Sequence, residues 1–121
     1  MAERRISERV QVLDDFPVTE QTTGDLLGHV GNLSLHGMLI ISACRLEVGR
    51  LYRLTIRVPK PIQGRNQLHM TAMCRWSAKD KESNITRTGF QFGNLNSDDE
   101  LMIRRLQADY AFSTSDNGLI G

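Results

Sequence analysis

Two stretches of the chain alternate apolar and polar residues with a period of two. In Leu51–Val58, the side chains of Tyr52, Leu54, Ile56 and Val58 fall on one face and those of Arg53, Thr55 and Arg57 on the other. In Leu68–Trp76, the residues Leu68, Met70, Ala72, Cys74 and Trp76 take the inward positions, and His69, Thr71 and Arg75 are largely outward. Successive side chains leave a strand on opposite sides, so this pattern specifies half-buried antiparallel strands with one wet face. Shorter versions occur at Val10/Val12 and Phe90/Phe92, and Asp25–Leu33 and Met38–Ser42 are apolar enough to be strands with less regular alternation.

The connections between these segments read as hairpin loops. Pro59–Asn66 is polar and contains Pro and Gly, and Lys79–Ser83 is charged. After the last strand the period changes. Ser97-Asp98-Asp99-Glu100 has the form of a capping box, with Ser97 and Glu100 as reciprocal partners, and its acidic turn suits the positive end of a helix dipole. Ile103, Leu106 and Tyr110 follow at helical spacing, which predicts a helix from Asp98 to about Phe112 and a frayed tail over residues 113–121. At 121 residues and 40% hydrophobic content the chain is expected to form a single folded domain. Six short strands and a terminal helix predict an all-β antiparallel barrel, with the helix covering an open end or side.

Charge and composition narrow the function. A net charge of +1 lacks the basic surface that a nucleic-acid coating protein needs, but a small anionic ligand requires just a few local cations. Seven aromatics, several of them on inward faces, do not supply stacking platforms along a basic groove. The longest apolar run, around Gly37–Ile41, is far too short to cross a bilayer, and no apolar stretch follows the charged start to make a secretory signal. These features predict a cytoplasmic protein without membrane insertion. Cys44 and Cys74 then read as free thiols serving as small buried hydrophobes. A catalytic site is not expected. His36 lies near Ser34 without an orienting third group, His29 and His69 read as strand surface or core edge, Asp14/Asp15 read as a strand-to-loop step, and Asp98/Asp99 read as helix N-terminal charges. The sequence contains neither a glycine-rich phosphate loop nor a metal-ligand cluster.

Two segments exceed what the fold requires. Arg4-Arg5-Ile6-Ser7-Glu8-Arg9 carries an R-x-x-x-R spacing with an extra Arg in front, just before the first expected strand. Asn32-Leu33-Ser34-Leu35-His36-Gly37 is an N-x-S-x-x-G turn between two expected strands. Taken separately, the first is ordinarily a solvated tail and the second an ordinary turn. Together, in this order and at this separation, they resemble the paired signature of the PilZ domain family. The Cys74-Arg75-Trp76 and Thr88–Phe92 strands and the terminal helix fall where that family has them, so the resemblance covers about Arg4 to Tyr110.

The resemblance implies a six-stranded antiparallel PilZ-type barrel that binds cyclic di-GMP. It divides the chain into a flexible arginine arm (1–8), a barrel with its helix (9–112) and a tail (113–121). Arg5 and Arg9 match the ends of the family motif and become the principal ligand contacts. A guanidinium fork suits both a guanine's Hoogsteen edge and a phosphate. Arg4 is expected to support two mutually intercalated ligand molecules. Asn32 is expected on a guanine edge, Ser34 on a base or phosphate oxygen, and Gly37 as the permissive backbone position beneath the ligand. No other cofactor is implied. Ligand binding is expected to order the arm and present a surface to an unidentified downstream protein in motility, attachment or exopolysaccharide control. The alternative is a PilZ-fold interaction module that binds no nucleotide.

Overall fold

The computed structural model describes residues 16–110, within which six strands and one helix form. The strands are β1 (Pro17–Glu20), β2 (Leu26–Leu33), β3 (Gly37–Ser42), β4 (Leu51–Ile62), β5 (Arg65–Lys79) and β6 (Thr86–Phe92), followed by α1 (Ser97–Asp109). They close into a barrel in the order β1-β2-β3-β6-β5-β4, with β4 returning to β1 and every neighbouring pair antiparallel. Closure leaves no unpaired sheet edge among the described strands. The expected six-stranded antiparallel barrel with a C-terminal helix is the fold of this chain.

The alternating pattern sets which side faces in. Leu54 and Ile56 on β4, Leu68 and Ala72 on β5, and Ile40 on β3 are fully buried, whereas Arg53, Arg57, His69 and Thr71 are exposed. Ile103 and Leu106 of α1 join the same core, so the helix adds its apolar stripe to the barrel interior. Burial of each such leucine or isoleucine is worth about 1.5–3 kcal/mol relative to leaving it in water. Tyr110 closes the described chain edge-on against Phe16, with ring centroids 4.8 Å apart.

Five expectations are corrected. Pro59–Asn66 is not a loop, since β4 runs to Ile62 and β5 starts at Arg65, leaving Gln63 and Gly64 as the turn. Both have positive φ, 51° and 81°, as a tight hairpin turn requires. The prolines are tolerated because the register between β4 and β5 is interrupted from Arg57 to Ile62, where a missing N–H breaks no ladder bond. The helix cap is Asn96, whose Oδ1 accepts from the Asp99 N–H at 2.7 Å, so Ser97 is the first helical residue. Asn caps at least as well as Ser and comes one residue earlier. The helix stops at Asp109, with Tyr110 extended. Finally, Cys74 is buried but Cys44 is exposed in the β3–β4 connection, and Trp76 is half-buried because the β5–β6 register slips between Cys74 and Trp76. The expected strand at Val10/Val12, the arm over 1–8 and the tail over 113–121 lie outside the described residues.

Candidate ligand-binding site

The β2–β3 connection is where the regular sheet pattern breaks. Between Val30 and Asn32 the register with β3 slips, so Gly31 is the extra residue of a bulge and Asn32 stands opposite Leu39. Asn32 is 5% exposed. Its Oδ1 accepts from the Leu33 N–H at 2.8 Å, whereas its Nδ2 is buried without a hydrogen-bond partner among the described residues. A stranded buried amide NH₂ costs about 1–3 kcal/mol. Such a group in a folded protein points to an unfilled partner.

The turn beyond it is held from several sides. The Ser34 N–H donates to the Gly37 carbonyl at 2.9 Å. Ser34 Oγ accepts from the His36 N–H at 3.1 Å and the Gly37 N–H at 3.3 Å. Its own proton has the Gly37 carbonyl at 3.4 Å as partner, a long bond that a ligand oxygen would outcompete. The His36 carbonyl accepts from the Phe92 N–H at 2.8 Å, tying the turn to β6. Gln107 of α1 donates through Nε2 to the Leu33 carbonyl at 3.0 Å. Thus the sheet and the helix both brace the segment that carries Asn32 and Ser34.

Gly37 is required for a reason other than the one expected. It is not among the positive-φ glycines, and its place is set by packing, since a Cβ there would collide with the Phe90 carbonyl of β6. Its absent side chain lets β3 and β6 approach at the start of their ladder, Gly37 opposite Gln91.

A further residue belongs to this wall. Asn32 stands opposite Leu39, Leu39 opposite Gly89, and Gly89 opposite Trp76, so one register row crosses β2, β3, β6 and β5. Cross-strand partners share a face. The Trp76 indole lies over Gly89, where any Cβ would strike it. Three strand spacings of about 4.8 Å separate the amide from the indole along the curved wall. The alternation placed Trp76 in the core. The usable signal was Gly89 itself, since a glycine inside a strand marks close approach.

The structure therefore brings Asn32, Ser34 and Gly37 into one braced turn. Arg4, Arg5 and Arg9 lie outside the described residues. A model of the PilZ domain matches residues 3–109, which spans both signature segments. The chain belongs to the PilZ domain family. Among solved structures, this PilZ domain is similar to Bacillus subtilis inhibitor of motility (MotI/DgrA), at 19% identity and a TM-score of 0.60. The match covers 79% of this chain and 47% of that one, so this chain spans about half its length, and the likeness is one of fold. No curated protein matches the chain. Among the described residues there is no group of His, Cys, Asp or Glu able to hold a metal ion, and no helix is long and apolar enough to cross a membrane.

Proposed function

We propose that this PilZ domain is a cytoplasmic receptor for cyclic di-GMP and acts as an adaptor rather than an enzyme. The observation that carries the reading is the buried Asn32 amide NH₂, which has no partner among the described residues and sits at the root of a braced turn. An amide offers both a donor and an acceptor, but here Oδ1 is spent on the Leu33 N–H, leaving Nδ2 to donate to an acceptor on the ligand or its pocket. Ser34 adds one hydroxyl proton, suited to a base or phosphate oxygen. Trp76 offers an indole on the same wall, a surface on which a purine stacks.

The cations come from the other signature segment. Arg5 and Arg9 would form bidentate pairs with guanine or phosphate, each contributing about 1–3 kcal/mol of discrimination. Arg4 would help neutralise a second, intercalated ligand molecule. Convergence of these guanidinium groups on the Asn32 turn would order the arm and create a surface for a downstream partner.

Titration calorimetry tests this with cyclic di-GMP against GMP and cyclic di-AMP. Saturable heat with the first ligand is the expected result, at two molecules per chain if Arg4 acts as described. Arg5→Ala or Arg9→Ala should abolish it while leaving the thermal midpoint of the free protein nearly unchanged. Absence of heat or of shifted resonances at micromolar concentrations overturns the reading and leaves the alternative, an interaction module that binds no nucleotide.

A further inference from the structure

None of the chain's 14 acidic residues lies between Leu51 and Lys79, whereas Arg53, Arg57, Lys60, Arg65, Arg75 and Lys79 all do. That segment therefore carries +6, and the remaining nine cations against 14 anions leave −5 elsewhere, which together give the chain's +1. The segment is the β4–β5 hairpin. A charge separation this strong in a small domain creates a field that steers association even though the net charge is near zero.

Part of this charge stands on one outer wall. Arg53 and Arg57 are both exposed, on the face opposite buried Leu54 and Ile56. Four residues along a strand separate them by about 13 Å. Across the hairpin Arg53 faces Thr71 and Arg57 faces Gln67, while between them Thr55 Oγ1 is 2.8 Å from His69 Nδ1. On one flank Thr19 of β1 stands opposite Thr55, and on the other Gln91 of β6 stands opposite Met73. Glu20 lies opposite Leu54, but its carboxylate accepts from the N–H groups of Thr22 at 2.8 Å and Thr23 at 2.9 Å. The ion pairs among the described residues are Arg50–Glu47, Arg65–Asp99 and Arg105–Asp109, so neither Arg53 nor Arg57 is neutralised within that part of the chain.

One end of the wall is apolar. Leu51 is 58% exposed and Val48, three residues before it, is 54% exposed, while half-buried Met73 stands opposite Leu51. Protein interfaces enrich Arg and Met, and exposed apolar side chains rimmed by polar residues mark interaction sites. The outward positions from Arg53 to Arg57 and from Gln67 to Thr71 carry no Trp, Tyr or Phe, so nucleic-acid bases have no platform there. We propose that the outer wall of β4 and β5, with Arg53 and Arg57 at its centre and Leu51 and Val48 at its edge, docks a protein segment that bears carboxylates beside an apolar side chain. In the barrel order the β4–β5 seam is diametrically opposite the β2–β3 seam, so Arg53 and Arg57 lie away from Asn32 and Ser34. The inference does not depend on the nucleotide reading.

Fluorescence anisotropy with a short labelled peptide, carrying glutamates four residues apart and a leucine at one end, tests the docking. The same peptide with glutamines, and oligouridylate, serve as comparisons. The folded wild-type protein is expected to bind the glutamate peptide in preference to both. R53E/R57E should weaken it about tenfold or more, because like charges then face each other. R53Q/R57Q, which introduces no repulsion, should weaken it less and decides the matter if the first variant does not fold. Cyclic di-GMP should not displace the peptide. No binding by the wild type, equal affinity in the folded variants, or tighter binding of oligouridylate would each overturn the proposal.

Discussion

The hairpins on opposite sides of this barrel join their strands in contrasting ways. In β4–β5 the register is unbroken from Leu51 opposite Met73 to Arg57 opposite Gln67, with apolar side chains inside and polar ones outside. In β2–β3 the register slips at Gly31, an amide is sunk with its NH₂ unspent, and a carbonyl is held by a side chain from a helix 74 residues away in sequence. From Leu51 to Arg57 the first hairpin obeys the local rules for a half-buried sheet, and its register breaks only beyond Arg57, where Pro59 and Pro61 stand. The second violates two of those rules, and such departures are where proteins place function.

The comparison breaks most readily at Leu54. Leu54→Ala removes a fully buried side chain from the regular hairpin and should lower the unfolding free energy by about 2–5 kcal/mol in a urea titration. A loss below this range would mean that β4 is not central to the core. Gly37→Ala should cost about 1–3 kcal/mol, because the Phe90 carbonyl must retreat from the new methyl group. The amide resonance of Phe92, which donates to His36 in the same turn, should move in that variant, whereas it should stay in place in a surface variant of β4.

Asn32→Ala sharpens the contrast. It removes a hydrogen bond worth about 0.5–1.5 kcal/mol together with a stranded donor that costs about 1–3 kcal/mol, so stability should stay within about 1 kcal/mol of wild type. Cyclic di-GMP affinity should nonetheless fall. A strongly destabilised variant would make Asn32 a structural residue and remove the asymmetry between the hairpins.

The smallest effect concerns two other turns. Backbone hydrogen bonds, from Thr23 to Glu20 and from Glu82 to Asp80, hold both carboxylates below the usual carboxylate range. A depressed folded-state pKa contributes stability that is present above the unfolded value and lost as pH falls through the folded one. Acidification should therefore shift the amide resonances of Thr23 and Glu82 with midpoints below those of unstructured peptides.

Much of the barrel was legible because alternation reports burial directly. Tyr52, Leu54, Ile56 and Val58 are buried together, as are Leu68, Met70, Ala72 and Cys74. Trp76 was misread because the slip after Cys74 changes the face that its position implies. The strand at Pro17–Glu20 was not read, since four residues are too few for a periodic signal. The turn at Gln63-Gly64 was hidden by prolines that normally end strands. In the candidate site, the grouping of Asn32, Ser34 and Gly37 was visible as spacing, whereas the unspent amide NH₂ and the indole farther along the same wall were not.

Local chemistry, written in the order of residues, determined the strand faces, the acidic helix start, the N-x-S-x-x-G turn and the concentration of positive charge between Leu51 and Lys79. These follow from backbone geometry and side-chain polarity, which act over a few residues. Tertiary structure decided which strands became neighbours, that the Gln107 side chain braces the Leu33 carbonyl, and that Arg53 and Arg57 stand across the barrel from Asn32. Those outcomes depend on barrel closure and on register slips, where one extra residue at a bulge changes the face of everything beyond it.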